Sequence, residues 1–311
     1  MKRRNFIALS STALAGLTIA AQGVKASDNG SGNIRFGGPV LDKYNSPEEW
    51  VSLHKNLQYR AAYCPVSPGE DAALVKAYQM AAAKNDLIIA EVGAWSNPIS
   101  PDKETAQKAL QKCIDSLALA DEIKARCCVN ISGTRNATYW AGPHKDNLTD
   151  DTFDLIVETT RKIIDSVKPT HTFFALEAMP WSYPDSADSY LKLIKAIDRK
   201  GFGVHLDPVN VVNTPSIYYN NGAMIRDCFK KLGPHIRSCH AKDIVLRQDN
   251  NVPQFDEIVA GKGNLDYSVY LTELSRLKDV PLMMEHLDSA QEYAQAAAYI
   301  RSVGKKVNVE F

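Results

Sequence analysis

Four residues of the types that bind metal ions each follow an apolar run in the second half of the chain. They are Glu177 in "ALEAM", Asp207 in "HLDP", His240 in "SCHAK" and Glu285 in "MMEHLD". Consecutive members of this set are about 30 to 45 residues apart, roughly one strand–helix unit of a (β/α)8 barrel. Because the parallel strands of such a barrel end at one mouth, the spacing predicts that the four side chains converge there.

These residue types in one place indicate a metal ion. Three carboxylates crowded around one axis repel each other and raise one another's pKa unless a cation neutralises them. Three oxygen ligands and one imidazole form a hard donor set that suits Mn²⁺, Mg²⁺ or Co²⁺, and Zn²⁺ is also compatible with it. We therefore predict one divalent ion, with Mn²⁺ as the first choice, and open positions on it for two substrate oxygens.

Other polar residues flank the predicted metal ligands. Alternate side chains of a strand share a face, so His205 points to the same side as Asp207. His205 and, by the same argument, Lys242 could bind a substrate hydroxyl or form a structural hydrogen bond. Glu91 is either a polar contact in the mouth or a buried acid paired within the barrel. His286 directly follows a predicted ligand, so alternation places it in the layer between strands and helices.

Two tryptophans lie just beyond predicted strands. Trp95 follows the third apolar run and Trp181 follows the fifth. Their flat faces could stack on a sugar ring or close the rim of the barrel, so both are candidates for substrate binding.

Eight short apolar runs predict the strands that would position these residues. The runs are "NIRFGGPV", "YRAAYCPV", "DLIIAEVGAW", "ARCCVNISG", "HTFFALEAM", "FGVHLDPVN", "IRSCHAKDI" and "PLMMEHLD". Between and after them, apolar residues at every third or fourth position predict amphipathic helices over 69–85, 102–123, 149–167, 186–201 and 289–306. The alternation predicts a (β/α)8 TIM barrel of the α/β class, a single domain over residues 33–311. A doubly wound sheet is the alternative, but the chain has neither G-x-G-x-x-G nor a Walker sequence.

Residues 1–26, "MKRRNFIALSSTALAGLTIAAQGVKA", have the basic head, apolar stretch and small final residues of an export signal. The paired Arg3 and Arg4 predict the twin-arginine (Tat) route, with the Tat machinery as a partner and a periplasmic location. An uncleaved membrane anchor is the alternative. After residue 32, no segment is apolar enough for long enough to predict a membrane span.

Composition favours a small-molecule ligand. The 36 basic and 36 acidic residues give a net charge of zero, so no broad field attracts nucleic acid or an anionic membrane surface. None of the six cysteines forms a C-x-x-C motif, and four of them lie in apolar runs. Buried thiols are therefore the favoured interpretation, with disulfides as the alternative.

The motifs "LEAMPW", "HLDPVN", "CHAKD" and "MMEHLD", in this order, resemble those of the xylose isomerase-like barrels. The resemblance is strongest to sugar isomerases and epimerases of the D-tagatose 3-epimerase type, and it covers about residues 33–311. It implies that the four strand-end residues bind the metal and that Glu177 and Glu285 also exchange protons with a substrate carbon. Asn210 stands where the epimerases have a substrate-binding histidine, and it is a candidate for substrate binding because its amide can still donate to and accept from a hydroxyl group. Arg247 matches the arginine of the epimerases only approximately. These two departures mean that the resemblance does not single out a free ketohexose as the substrate.

The same superfamily contains DNA-repair endonucleases, whose trinuclear zinc site needs further histidines near strands two, three and seven. Those strands here offer Tyr63, Cys64, Glu91 and a single histidine, His240. Together with the zero net charge, this argues against nucleic acid as a partner.

These observations predict a metal-dependent isomerase or epimerase. It would remove a proton next to the carbonyl of a sugar or keto-sugar and pass through an enediolate. One alternative is a periplasmic keto-glycoside lyase that uses the same metal site. Another is a sugar-binding barrel that has lost catalysis. A homo-oligomer is compatible with the sequence.

Overall fold

The computed structural model describes residues 34–311, and the predicted signal segment over residues 1–26 lies outside them. Eight parallel strands form a closed barrel. In chain order they are β1 (Arg35–Gly37), β2 (Ala61–Tyr63), β3 (Ile88–Gly93), β4 (Cys127–Ile131), β5 (Phe174–Glu177), β6 (Phe202–Leu206), β7 (Ile236–Ala241) and β10 (Pro281–Met284). The barrel closes where β1 pairs with both β10 and β2. The predicted TIM barrel is confirmed, and each predicted apolar run contains one barrel strand.

Helices alternate with the strands and cover the outside of the barrel. They are α1 (Pro47–Asn56), α2 (Ala72–Lys84), α3 (Lys103–Ile123), α4 (Asp150–Val167), α5 (Ala187–Ile197), α6 (Pro208–Val211), α7 (Pro215–Tyr219), α8 (Asn221–Leu232), α9 (Tyr267–Leu274) and α10 (Ala290–Lys306). Side-chain caps mark several starts, because Asp102, Thr149 and Ser289 accept hydrogen bonds from backbone N–H groups of the first turn. Within residues 34–311, no helix is both long and apolar enough to cross a membrane.

A hairpin follows β7 and is not predicted by the sequence. The run "IRSCHAKDI" predicts one strand, but the chain leaves the barrel and forms an antiparallel pair, β8 (Asp243–Leu246) with β9 (Phe255–Ile258). The Asp243 carboxylate fixes the return segment by accepting hydrogen bonds from the N–H groups of Gly261, Gly263 and Leu265 at 2.9, 3.1 and 2.9 Å. Gly261 has a φ of 94°, which a residue with a side chain rarely adopts.

The main apolar core lies between the strands and the helices. It joins outward strand residues such as Leu176 and Val204 to helix residues such as Leu117 and Ile300. Inside the barrel the apolar clusters are small and consist of Ala61, Ala90 and Met283, and of Cys127, Val129 and Ala175. The six cysteines are free, and all but Cys64 are buried. Small inward residues thus leave room for larger polar side chains at the carboxyl ends of the strands.

Candidate active site

The four predicted metal ligands converge at the carboxyl ends of neighbouring strands. Glu177 is the last residue of β5, Asp207 follows β6, His240 lies in β7 and Glu285 follows β10. One donor atom from each lies within 4.8 Å of the others. The side chains of Asp207 and His240 are fully buried, while 6% of Glu177 and 11% of Glu285 are exposed. Solvent therefore reaches the cluster on the side of Glu177 and Glu285, whereas Asp207 and His240 are shielded from it.

Contacts within this cluster fit a metal ion better than a closed hydrogen-bond network. His240 Nδ1 lies 3.0 Å from Glu177 Oε1 and also 3.0 Å from Glu285 Oε1, and it cannot donate one proton to both. Asp207 Oδ1 accepts a hydrogen bond from the N–H of Val209 at 2.9 Å, whereas Asp207 Oδ2 and Glu285 Oε1 are buried and each lies 2.8 Å from the ammonium group of Lys242. Three carboxylates and an imidazole whose ligand atoms lie this close together could hold one divalent cation.

The pKa values describe the same excess of negative charge. Burial, together with the charges of Glu177 and Glu285, raises the pKa of Asp207 to about 7, although Lys242 and His240 act to lower it. Burial lowers the pKa of His240, but the surrounding carboxylates outweigh burial and hold that pKa well above its ordinary value. Protons on these side chains supply positive charge that a bound cation would replace.

Lys242 brings a second positive charge to the cluster. Its Nζ lies 2.8 Å from Asp207 Oδ2, 2.8 Å from Glu285 Oε1 and 3.0 Å from Glu257 Oε1, with only 3% of the side chain exposed. Burial lowers the pKa of Lys242, but these carboxylates outweigh it and hold the pKa well above its ordinary value. Glu257 is not predicted by the sequence because it comes from the unpredicted hairpin strand β9.

His286 is not in the strand–helix layer, so that prediction is wrong. It is 60% exposed, and its Nδ1 lies 2.9 Å from Glu257 Oε2 at the cavity edge. Alternation does not apply here, because β10 ends at Met284 and His286 has a φ of 56°, which turns the chain.

Glu91 and His205 form a polar layer below the cluster. His205 is fully buried, and its Nε2 lies 3.1 Å from Glu91 Oε2, which is 3.5 Å from His240 Nε2. Burial would raise the pKa of Glu91, but the two imidazoles outweigh it and lower the pKa to about 2. Of the two interpretations of Glu91, the buried acid paired within the barrel is the correct one. His205 does not line the cavity, so this geometry does not support its predicted contact with a substrate.

A cavity of about 570 Å³ opens above the cluster. Its polar end includes Glu177, His240 and Glu285, and the predicted substrate-binding residues Trp95, Trp181, Asn210 and Lys242 also line it. Asn210 Nδ2 donates a hydrogen bond to Glu177 Oε1 at 3.1 Å. The Trp95 ring centroid is 6.4 Å from that of His240.

Several lining residues lie where periodicity carries no signal for them, in loops, at strand ends, in the hairpin strand β9 or in the first turn of α10. They are Pro39, Ile131, Tyr139, Trp140, Ala141, Met179, Glu257, His286 and Tyr293. Tyr63 also lines the cavity, and its hydroxyl donates to the carbonyl of Met284 at 3.2 Å. The sequence patterns do not predict a role in substrate binding for any of these residues.

We predict that Glu91→Gln weakens metal binding by about 10- to 100-fold, the usual effect of removing a carboxylate that orients a ligand histidine. The reason is that the amide cannot provide the negative charge that holds His240 Nε2–H on the side away from the cluster. Titration calorimetry with Mn²⁺ measures the effect. Glu122→Gln, an exposed change on α3, is the matched control and should bind Mn²⁺ like the wild type. Equal affinities for all three proteins would show that Glu91 does not position His240.

Comparison with known proteins agrees with this architecture. The family of xylose isomerase-like TIM barrels matches residues 52–303. Among the curated proteins, none matches this sequence. The fold is similar to that of D-psicose 3-epimerase from Clostridium cellulolyticum H10 with D-tagatose, at 14% identity and a TM-score of 0.63, covering 89% of this chain and 100% of that chain.

Other solved structures share the fold and differ in their named activities. A xylose isomerase-like protein from Mycobacterium smegmatis in complex with magnesium is 16% identical with a TM-score of 0.60, covering 88% of this chain and 97% of that one. Endonuclease IV from Thermus thermophilus is 13% identical with a TM-score of 0.67, covering 88% of this chain and 99% of that one. At these identities the likeness shows the fold alone. The family match over most of the sequence shows that this chain belongs to the xylose isomerase-like TIM barrels.

Proposed function

We propose that this protein is a metal-dependent isomerase or epimerase of sugars or keto-sugars. The observation that supports the proposal most is the meeting of Glu177, Asp207, His240 and Glu285 at the closed end of one cavity. Membership of the xylose isomerase-like family and the shared fold of a named sugar epimerase support an enzyme of this class. The reaction would be the transfer of a proton next to a carbonyl group.

The four residues would hold one divalent ion, for which we propose Mn²⁺, with Mg²⁺, Co²⁺ and Zn²⁺ as alternatives. When bound, the ion would polarise a substrate carbonyl and stabilise negative charge next to it. Asp207 Oδ2 and Glu285 Oε1 fit this role because a carboxylate oxygen has two lone pairs, so each can face the ammonium group of Lys242 at 2.8 Å and still bind an ion.

Glu177 and Glu285 are the proposed proton-transfer groups. Both line the cavity, and one oxygen of each lies 3.0 Å from His240 Nδ1, so both reach the same small volume. Burial would raise the pKa of each, but the charge of His240 outweighs it, and both pKa values are lowered. One ionised carboxylate would take the proton from the substrate carbon, and the other would return one from its protonated form. Return to the opposite face gives epimerisation, and return to the neighbouring carbon gives isomerisation.

Four further side chains would hold the substrate. Asn210, which already donates to Glu177 Oε1, has a second N–H and a carbonyl oxygen for a hydroxyl group. Lys242 would donate to a substrate oxygen from the side of the cluster. Trp95 and Trp181 offer apolar surface for the C–H faces of a sugar ring.

Wild-type protein should contain about one divalent ion per chain, and Asp207→Asn or His240→Ala should lose most of it because each removes a ligand. Elemental analysis after dialysis measures the content. Asp266→Asn is the matched control, because Asp266 caps α9 through the N–H of Val269 at 3.0 Å and should keep its metal. Wild-type protein that binds none of Mn²⁺, Mg²⁺, Co²⁺ and Zn²⁺ would refute the metal site.

Glu177→Gln and Glu285→Gln should each lower the turnover rate by at least about 100-fold, the usual contribution of general acid–base catalysis. Glutamine keeps an oxygen ligand of similar size but cannot accept the proton. Product analysis by NMR over free ketoses, keto-glycosides and inositol derivatives provides the assay, with Glu122→Gln as the unchanged control.

The same panel separates the alternatives. Loss of a substituent from the product would identify a lyase, which shares the proton-abstraction step. Sugar binding without turnover by the wild-type protein, in the presence of each metal, would replace the proposed enzyme by a binding protein.

We also propose Tat-dependent export to the periplasm, which is supported by residues 1–26 of the sequence. The precursor should be cut near Ala26, as mass spectrometry of the periplasmic fraction would show. Changing Arg3 and Arg4 together to lysine should leave the folded precursor in the cytoplasm, because this route recognises the paired arginines. A wild-type chain that begins at Met1 and is found in the cytoplasm would contradict export.

A further inference from the structure

The cavity changes from a buried polar end to an exposed aromatic rim. His240 is fully buried at the polar end, whereas Trp95, Trp140 and Tyr139 are 37%, 42% and 56% exposed. Within residues 34–311, four large aromatic side chains are exposed to this degree, and these three line the same cavity. Tyr219 is the fourth and lies elsewhere. Exposed aromatic surface concentrated at one opening is typical of a binding site.

The loop that carries Tyr139 and Trp140 is held by buried polar groups. Asn97 and Thr134 exchange two hydrogen bonds, from Asn97 Nδ2 to Thr134 O at 2.8 Å and from Thr134 N to Asn97 Oδ1 at 2.9 Å. Asn147, also fully buried, accepts from the N–H of Arg135 at 2.8 Å. Both aromatic rings are therefore presented on an ordered backbone, which lowers the entropy cost of binding a ligand to them.

Trp181 connects this loop to the cluster. It follows β5, the strand that ends at Glu177, and its Nε1–H donates to the carbonyl of Ala141 at 2.7 Å. Through Ala141, which directly follows it, Trp140 is therefore held next to the segment after β5, the strand that ends at Glu177. Since the indole N–H is already used, the ring of Trp181 offers the cavity only its apolar surface.

We infer that the substrate is a glycoside, with its sugar at the cluster and a flat aglycone against Tyr139 and Trp140. This inference rests on the proposed function and specifies its substrate class. The polar end suits a sugar's oxygens, whereas Tyr139 and Trp140 offer aromatic faces at the rim. A cavity of about 570 Å³ falls in the size range of sites that enclose ligands larger than one sugar ring.

The glycosidic bond limits where the carbonyl group of the substrate can lie. The glycosidic bond occupies the anomeric carbon, so the carbonyl that acidifies the transferred proton must lie on another carbon of the sugar ring. The substrate is then a keto-glycoside, and the class of reaction that supplies it is the oxidation of a ring hydroxyl. Proton removal and return leave the glycosidic bond intact, so no further reactant is needed.

The test is calorimetric binding to the Mn²⁺-loaded full chain of paired methyl and phenyl glycosides of glucose, galactose and mannose, each supplied unoxidised and with one ring hydroxyl oxidised to a ketone. In the sugar series that binds, the phenyl glycoside should bind about 3- to 10-fold more tightly, the scale of one aromatic contact. Trp140→Ala and Tyr139→Ala should reduce that advantage, Trp140→Tyr should keep most of it, and Tyr219→Ala should leave it unchanged. Because these side chains are exposed, the variants should fold like the wild type, which circular dichroism checks.

The outcomes separate this inference from the proposed function. Equal binding of methyl and phenyl glycosides, or a phenyl advantage that survives both alanine variants, would overturn the aglycone site. If free ketoses are then still epimerised, the proposed function remains. If no sugar or glycoside binds or reacts, both the inference and the proposed function are wrong.

Discussion

The mouth of this barrel is organised by the repulsion between carboxylates held out of water. Glu177, Asp207 and Glu285 lie around one imidazole with little access to solvent, and such charges are costly to bury unless a cation balances them. His240 and Lys242 provide that balance through their protons, and a divalent ion would provide it more strongly. A divalent ion bound at this cluster would therefore also balance the negative charge of the three carboxylates.

The rest of the structure is arranged in layers around this constraint. Small inward residues fill the lower barrel, and above them Glu91 and His205 support His240 from below. The hairpin adds Glu257 beside Lys242, and the ordered loop after β4 adds aromatic surface at the opening. Strands β5, β6, β7 and β10 therefore each bring one polar residue to the carboxyl end of the barrel, and the loops there determine which molecules can reach these residues.

Residues that repeat with the periodicity of a strand or helix were predictable from the sequence. The four predicted metal ligands each lie at the end of an apolar run, so their spacing along the chain is enough to predict that they converge. They are Glu177, Asp207, His240 and Glu285. The position of His286 is not predictable by alternation, because alternation stops where β10 ends. His205 lies on the expected inward face and pairs with Glu91 below the cluster, which agrees with the structural one of its two predicted roles. The hairpin and the aromatic loop have no such periodicity, since tertiary hydrogen bonds such as those of Asp243 and Asn147 determine their shape.

Proton transfer by Glu177 and Glu285 is tested most directly by turnover in D₂O with mass and NMR analysis of the product. If the glutamates exchange protons with the substrate carbon, product formed in D₂O should contain deuterium on the carbon next to the carbonyl. The isotope should be lost from that position when labelled product is returned to H₂O with enzyme. Efficient turnover with no solvent deuterium in the product would contradict proton transfer and indicate a direct hydride shift between substrate carbons.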